Sequence, residues 1–211
     1  MFTTTARDAC LGLLDSKFLG LVKSISNWRA GTFVEADYTG YDATTRPGIT
    51  FGAQADTSPA GGRQVANSAE VVCDQNTGAS QDLIAYVIMS ATTGGVAWGF
   101  GLLDSDTPIL GTVTLASPGV VTAYAHGFVD NQRVFFMAAP GAVTPTGFAE
   151  NTAYFVANAA TNTFTLSGTT ANGTPVNTSA AGAGQFIPYT AVTVANLATP
   201  KLAIGTIVVQ L

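Results

Sequence analysis

The chain has 211 residues, of which only 10% are charged, with a net charge of −5, a pI near 4.5 and a mean hydropathy of +0.32. That length can hold one large domain or two small ones with a real core, and no stretch approaches the ~18 uninterrupted apolar residues of a membrane helix. No cluster of Lys or Arg occurs, which removes the footprint that a nucleic-acid binder needs to neutralise phosphates.

In chain order, Thr3, Thr4 and Thr5 offer N-cap hydroxyls, and Ala9, Cys10, Leu13 and Leu14 recur at spacings of three and four. This predicts a short amphipathic helix over 6–14, with Arg7 and Asp8 toward solvent. The apolar bias here is not that of an export signal: Arg7-Asp8 leaves no net positive leader region, and Asp15 and Lys17 interrupt the run. Assembly in a cytoplasm is therefore expected. Residues 18–25 read as a strand, 26–31 as a turn holding Trp28 and Arg29, and 32–41 as irregular chain ending at Tyr38-Thr39-Gly40-Tyr41. Arg46-Pro47-Gly48 is a turn before a strand opened by Ile49-Thr50-Phe51, and 53–63 is a Pro/Gly/Ser loop. Weak alternation over 65–73 passes through Asn67-Ser68, and Asn76-Thr77-Gly78 turns the chain.

The nearly continuous apolar run 82–89 is expected to be a central buried strand, returned by a Thr92-Thr93-Gly94-Gly95 turn to a hairpin partner over 96–103. Gly99 and Gly101 in that partner permit close packing or a bulge. After the loop Asp104-Ser105-Asp106-Thr107-Pro108 the character changes: between 112 and 187 the only charged residues are Asp130, Arg133 and Glu150. Within that stretch, alternation on either side of a polar turn in 151–168 marks a β-hairpin. Residues 179–184 read as a flexible small-residue segment. The tail, 197–209, reverts to strand density with a Pro and a Gly turn. The expected fold class is mainly β. A β-sandwich base, built from 1–111 and 188–211 with one N-terminal helix, carries a small β domain inserted as 112–187.

Chemistry is sparse. His126 is the only histidine and stands before Gly127 in a turn, so a hydrogen-bonded structural role is expected of it. Cys10 and Cys73, 63 positions apart, share no metal-ligand spacing and read as buried free thiols, with a disulfide open but not implied. Asp104 and Asp106 could give Ca²⁺ two oxygens, but the rest of a six-to-eight-ligand loop is missing. Glu35 and Asp37 are paired carboxylates without a sign of the facing cleft that glycoside cleavage needs. No catalytic residue, cofactor or metal is assigned. Two surfaces are candidates for interaction. One is the aromatic set Trp28, Tyr38 and Tyr41, for which core packing is an equal reading. The other comprises the turns of the middle module: Asp130-Asn131, Pro140-Gly141, 158–162 with Asn158 and Asn162, and 169–173 with Asn172.

The first part and the tail resemble a family of small structural proteins of tailed bacteriophages, described as tail-fibre or virion appendage proteins. The motifs are Tyr38-Thr39-Gly40-Tyr41, Ile49-Thr50-Phe51-Gly52, Asn67-Ser68 with Val71-Val72, Asn76-Thr77-Gly78, Thr93-Gly94-Gly95 with Trp98-Gly99, and Thr199-Pro200-Lys201 with Ile204-Gly205. In that family the Trp-Gly strand runs almost directly into the Thr-Pro-Lys segment, so 112–187 looks inserted. The insert resembles a β module of phage structural proteins through His126-Gly127-Phe128, Asn131, Arg133-Val134-Phe135-Phe136, Thr146-Gly147-Phe148, 152–156 and 162–167. The resemblance implies a non-enzymatic virion protein assembled in the host cytoplasm, homo-oligomeric, with a trimer as one form open to it, and docked on tail or capsid proteins. A host-surface receptor is a further implied partner; nucleic acid and membrane insertion are not. Capsid decoration or a head fibre is the alternative placement, and a host-glycan-binding or glycan-cleaving receptor module is the alternative of another class.

Overall fold

Strand-period alternation and turn residues outnumber helix signals throughout the chain, and the protein is mainly β with one short helix. A computed structural model describes residues 4–27, 31–57, 62–139, 141–168 and 170–210. The helix α1 (Thr4–Gly12) is followed by β1 (Lys17–Asn27), β2 (Thr32–Glu35), β3 (Gly48–Ile49), β4 (Ala55–Asp56), β5 (Arg63–Ala66) and β6 (Val71–Val72). Next come β7 (Gln81–Leu83), β8 (Ala85–Met89), β9 (Ala97–Leu102), β10 (Ile109–Val113), β11 (Val120–Thr122) and β12 (Arg133–Ala138). The chain closes with β13 (Thr152–Ala157), β14 (Thr163–Ser167), β15 (Gly182–Pro188), β16 (Val192–Val194), β17 (Lys201–Leu202) and β18 (Val208–Gln210).

The chain folds as two compact units: Met1–Lys23 with Glu35–Gly101 and Thr193–Leu211, and Ser24–Val34 with Leu102–Val192. These limits differ from the expected 112–187. Barrel strand β10 begins at Ile109 and β15 ends at Pro188, and the chain segment around 24–34 joins the second unit, where Thr152 Oγ1 donates to Ser26 O at 2.7 Å. Gly182–Gly184, expected to be flexible, are barrel strand. Small residues are required there, because a Cβ on Gly184 would collide with the Phe136 ring.

In the first unit, β8 is buried at every residue and lies between β1 and β9. Its register with β1 sets Leu19 opposite Ile88 and Leu21 opposite Tyr86. The apolar run 82–89 is not one strand: it breaks at Ile84, so that β8 stays beside β1 while β7 pairs with β16. Of the two glycines in β9, Gly101 is the one packing needs, since a Cβ there would strike the Tyr86 ring, whereas Gly99 would make only ordinary contact.

The tail is stitched to the first half strand by strand, β16 to β7, β17 to β6 and β18 to β5, with β4 on the other side of β5. Two buried asparagines hold it there. Asn76 Nδ2 donates to Ala79 O at 2.9 Å and Val194 O at 3.0 Å, while its Oδ1 accepts from Gly78 N at 2.9 Å. Asn67 Nδ2 donates to Ala69 O and Ala203 O, and its Oδ1 accepts from Ile207 N. A motif that looks like turn chemistry in the sequence is thus a clamp between distant segments.

The helix is present but turned from its expected face. Leu11 and Leu14 are buried, whereas Cys10 is exposed and Leu13 is 56% exposed. The helix starts at Thr4 and gives way to turn after Gly12, so the three-and-four spacing counted to Leu14 crosses its end. Asp8 is partly buried and accepts from Arg63 Nε at 2.6 Å, which draws that side of the helix inward. The expectation of two buried thiols therefore holds for Cys73 and fails for Cys10.

The second unit is a closed six-stranded barrel in the order β10-β11-β14-β13-β12-β15, antiparallel at every described pairing. Alternation along each strand sends Val113, Val121, Val134, Phe136, Tyr154, Val156, Phe164, Leu166 and Phe186 inward. The rings interlock edge to face, Phe164 with Phe186 at 5.2 Å and Phe136 with Phe148 at 5.4 Å between centroids. Side chains thus fill the interior.

Candidate functional site: the loop end of the barrel

Barrel order decides where the loops meet. β11 neighbours β14 and not β12, so the connection 123–132 must cross the end of the β13–β14 hairpin to reach β12. Crossing there, it is bonded to the hairpin turn along its length. Ala123 N donates to Asn162 O at 3.0 Å, Ala125 N to Asn162 Oδ1 at 2.9 Å, and Asn131 N to Val156 O at 2.8 Å. From the turn, Ala159 N donates to Asp130 Oδ1 at 2.8 Å.

His126 and Phe128 point into the barrel and close this end over Phe164, with ring centroids 4.8 Å and 5.2 Å from it. His126 Nδ1 accepts from Phe128 N at 2.9 Å, and Nε2 lies 3.3 Å from Thr163 O. The neutral tautomer carrying hydrogen on Nε2 satisfies both contacts. The histidine is a structural plug, as its position before Gly127 suggests. Ala125 is held at φ 47°, a left-handed conformation that costs a residue with a Cβ on the order of 1 kcal/mol. Asn162 Oδ1 on its N–H helps to hold that conformation.

The result is a groove of about 400 Å³ lined by Ala125, Gly127, Phe128, Ala159, Ala160 and Thr161. At its margin in the chain stands Tyr124, 88% exposed. No charged side chain lines the groove. Asp130 is bonded to Ala159 N, and Arg133 lies with its guanidinium 5.7 Å from the Phe155 ring centre.

The structure brings together most of the turn residues singled out in the middle module. Asp130, Asn131, Asn158 and Asn162 share this end, and Asn172 joins them by donating its N–H to Asn131 Oδ1 at 2.8 Å. The side chains of Asp130, Asn131, Asn158 and Asn162 are spent on the loops, with Asn158 Nδ2 donating to Thr165 Oγ1, and Asn131, Asn158 and Asn172 sit at φ 67°, 50° and 55°. They shape the surface and leave Tyr124 and the groove to face outward. Nothing in the sequence marked Tyr124, which sits in no motif; only the crossing of the 123–132 connection exposes it. Pro140 and Thr169 lie outside the described residues.

The aromatic set of the first half is corrected. Tyr38 is buried, donating from its hydroxyl to Asp74 O at 2.8 Å, and burial drives its phenol pKa upward. Tyr41 donates to Glu35 Oε2 at 2.9 Å and accepts from Leu21 N at 3.1 Å, its pKa also raised, first by burial. Tyr38 belongs to the interior, Tyr41 is half-buried, and Trp28 lies outside the described residues.

Glu35 is tied to Arg46, only 6% exposed, whose Nε and Nη2 reach its two oxygens at 2.9 Å and 2.5 Å. Nη1 donates to the carbonyls of Ala91, Thr92 and Gly94, and the hydrogen bond to Glu35 raises the Arg46 pKa. Arg46, read from sequence only as a turn residue, is the clamp of this network. Asp37, the other paired carboxylate, bonds Lys23 and Gln81, which hold its pKa below the usual range. Asp104 and Asp106 line a separate cavity of about 270 Å³ with Ser105, Gln132, Pro188, Tyr189 and Thr190. Among the described residues, no group of three or more His, Cys, Asp or Glu is placed to hold a metal ion. No protein-family model and no curated protein matches the chain.

Proposed function

We propose that this chain is a structural component of a tailed-bacteriophage virion, a tail-fibre or appendage subunit that associates with its own copies and with other virion proteins. The observation that carries the reading is the surface. Fourteen large apolar side chains among the described residues are 41 to 88% exposed, on a chain with 10% charged residues. Such a surface has little charge to keep copies apart and gains by burial against another chain. The motifs shared with phage appendage proteins supply the setting. The barrel supplies the display: its loops are fixed by backbone N–H groups donating to Asn and Asp side-chain oxygens, as suits a rigid recognition surface. The paired carboxylates are committed to Arg46, Tyr41, Lys23 and Gln81, which favours a non-enzymatic role.

Electron microscopy of particles labelled with antibody to this protein tests the proposal. Label at a fixed place on the tail supports an appendage, and label on tail-less heads supports decoration instead. Absence from purified particles sinks both.

A further inference from the structure

We propose that Asn172 is a site of spontaneous deamidation, a slow covalent change that adds one negative charge to the loops of the barrel. Of the chain's asparagines it alone is followed by glycine. Deamidation begins when the backbone nitrogen of the next residue reaches the asparagine Cγ, and a side chain on that next residue crowds the approach. Gly173 has none. The structure sets Asn172 apart a second time. Asn67 and Asn76 are buried with their amides donating to backbone carbonyls, and Asn158 Nδ2 donates to Thr165 Oγ1. Asn131 and Asn162 accept backbone N–H groups on Oδ1, and Asn151 is buried. Asn177 and Asn196 are exposed, but Thr178 and Leu197 follow them. Asn172 is exposed, and among the described residues no hydrogen bond reaches its side chain.

The reaction needs only water. Gly173 N, its proton taken by solvent hydroxide, attacks Asn172 Cγ, and the new C–N bond displaces the side-chain nitrogen as ammonia. Water then opens the cyclic imide at either carbonyl, giving aspartate or isoaspartate. One water is consumed and one ammonia released, with no change of oxidation state. A single contact opposes the attack: Gly173 N donates to Thr170 O at 3.1 Å, and that bond must open first. Loss of one such turn bond lowers the rate by a factor of about two to thirty, which leaves the site reactive. The isoaspartate product also changes the loop. Asn172 N is bonded to Asn131 Oδ1 at 2.8 Å and Gly173 N to Thr170 O, and a main chain lengthened by one carbon between the two nitrogens cannot keep both. The new charge then stands beside Asn131, the neighbour of Asp130, on a loop freed from one of its ties.

The test ages the full-length protein in mildly alkaline buffer made with ¹⁸O-water, beside the same chain unfolded in guanidinium chloride, and maps both by peptide mass spectrometry. The peptide holding residues 172–173 should take up one ¹⁸O as it loses nitrogen, ahead of every other asparagine. In the folded chain this should proceed within about thirtyfold of the unfolded chain's rate. Aspartate and isoaspartate should both appear, which marks the imide route. Asn172→Gln should silence the peptide, because glutamine must close a larger and slower ring. The inference is overturned if another asparagine of the folded protein reacts first, or if the folded rate at Asn172 falls below that range. It is overturned as well if aspartate forms without isoaspartate, or if ¹⁸O still enters that peptide in Asn172→Gln.

Discussion

Asn76 offers the sharpest test of how the split first unit is held together. Its side chain is fully buried and makes three hydrogen bonds, one to Val194 on the far side of the intervening barrel sequence. Asn76→Ala removes all three, leaving Val194 O unpaired in the interior and Ala79 O and Gly78 N unpaired where they are partly buried. At ~1 kcal/mol net for each bond, with a further penalty for buried groups left unpaired, the loss should be about 3 to 4 kcal/mol. Asn76→Asp discriminates further. It keeps the acceptor for Gly78 N but turns an oxygen toward Ala79 O and Val194 O, where both partners are acceptors. At neutral pH it should cost at least as much as the alanine, and less once acid protonates it. Urea unfolding followed by circular dichroism reads both. A loss below about 1 kcal/mol for Asn76→Ala, the range of surface substitutions, would refute the clamp.

Three further outcomes are expected. Arg46→Ala leaves Glu35 in the interior with only Tyr41 beside it among its described partners, so about 3 to 5 kcal/mol should be lost in the same unfolding assay. Arg46→Lys should recover part of that, since it keeps the charge but not the two-pronged fit.

Burial pushes the Cys73 thiol up to about 12 from 9.0, and the Tyr189 phenol up to about 12 from 10.0. Raised folded-state values mean stability that is complete below the unfolded values and is lost as pH climbs through the folded ones. The urea midpoint should therefore fall from about pH 9 upward, and Cys73→Ala should flatten that decline. Deleting 105–189 and joining Asp104 to Thr190, whose backbones are hydrogen-bonded at 2.8 Å, should leave a folded first unit. An unfolded or insoluble product would count against the two-unit division.

What the sequence determined by itself is local. Alternation in 151–168 specified β13 and β14 because a strand's two faces alternate with period two and one of them meets the barrel core. The apolar density of 82–89 specified burial, and the change of composition after residue 108 marked the passage into the barrel. Only the tertiary structure decided the rest. Periodicity carries no record of which strand lies beside which, so the placing of β11 next to β14, and with it the crossing loop that exposes Tyr124 and frames the groove, could not be read ahead. Nor does a residue's type say whether its polar atoms will face water. Tyr38 carried the chemistry of an interaction surface and went inside, where Asp74 O receives its hydroxyl, and Tyr41 is half-buried with its hydroxyl on Glu35. Asn76 carried the chemistry of a turn and became the bond between two stretches of chain 118 residues apart.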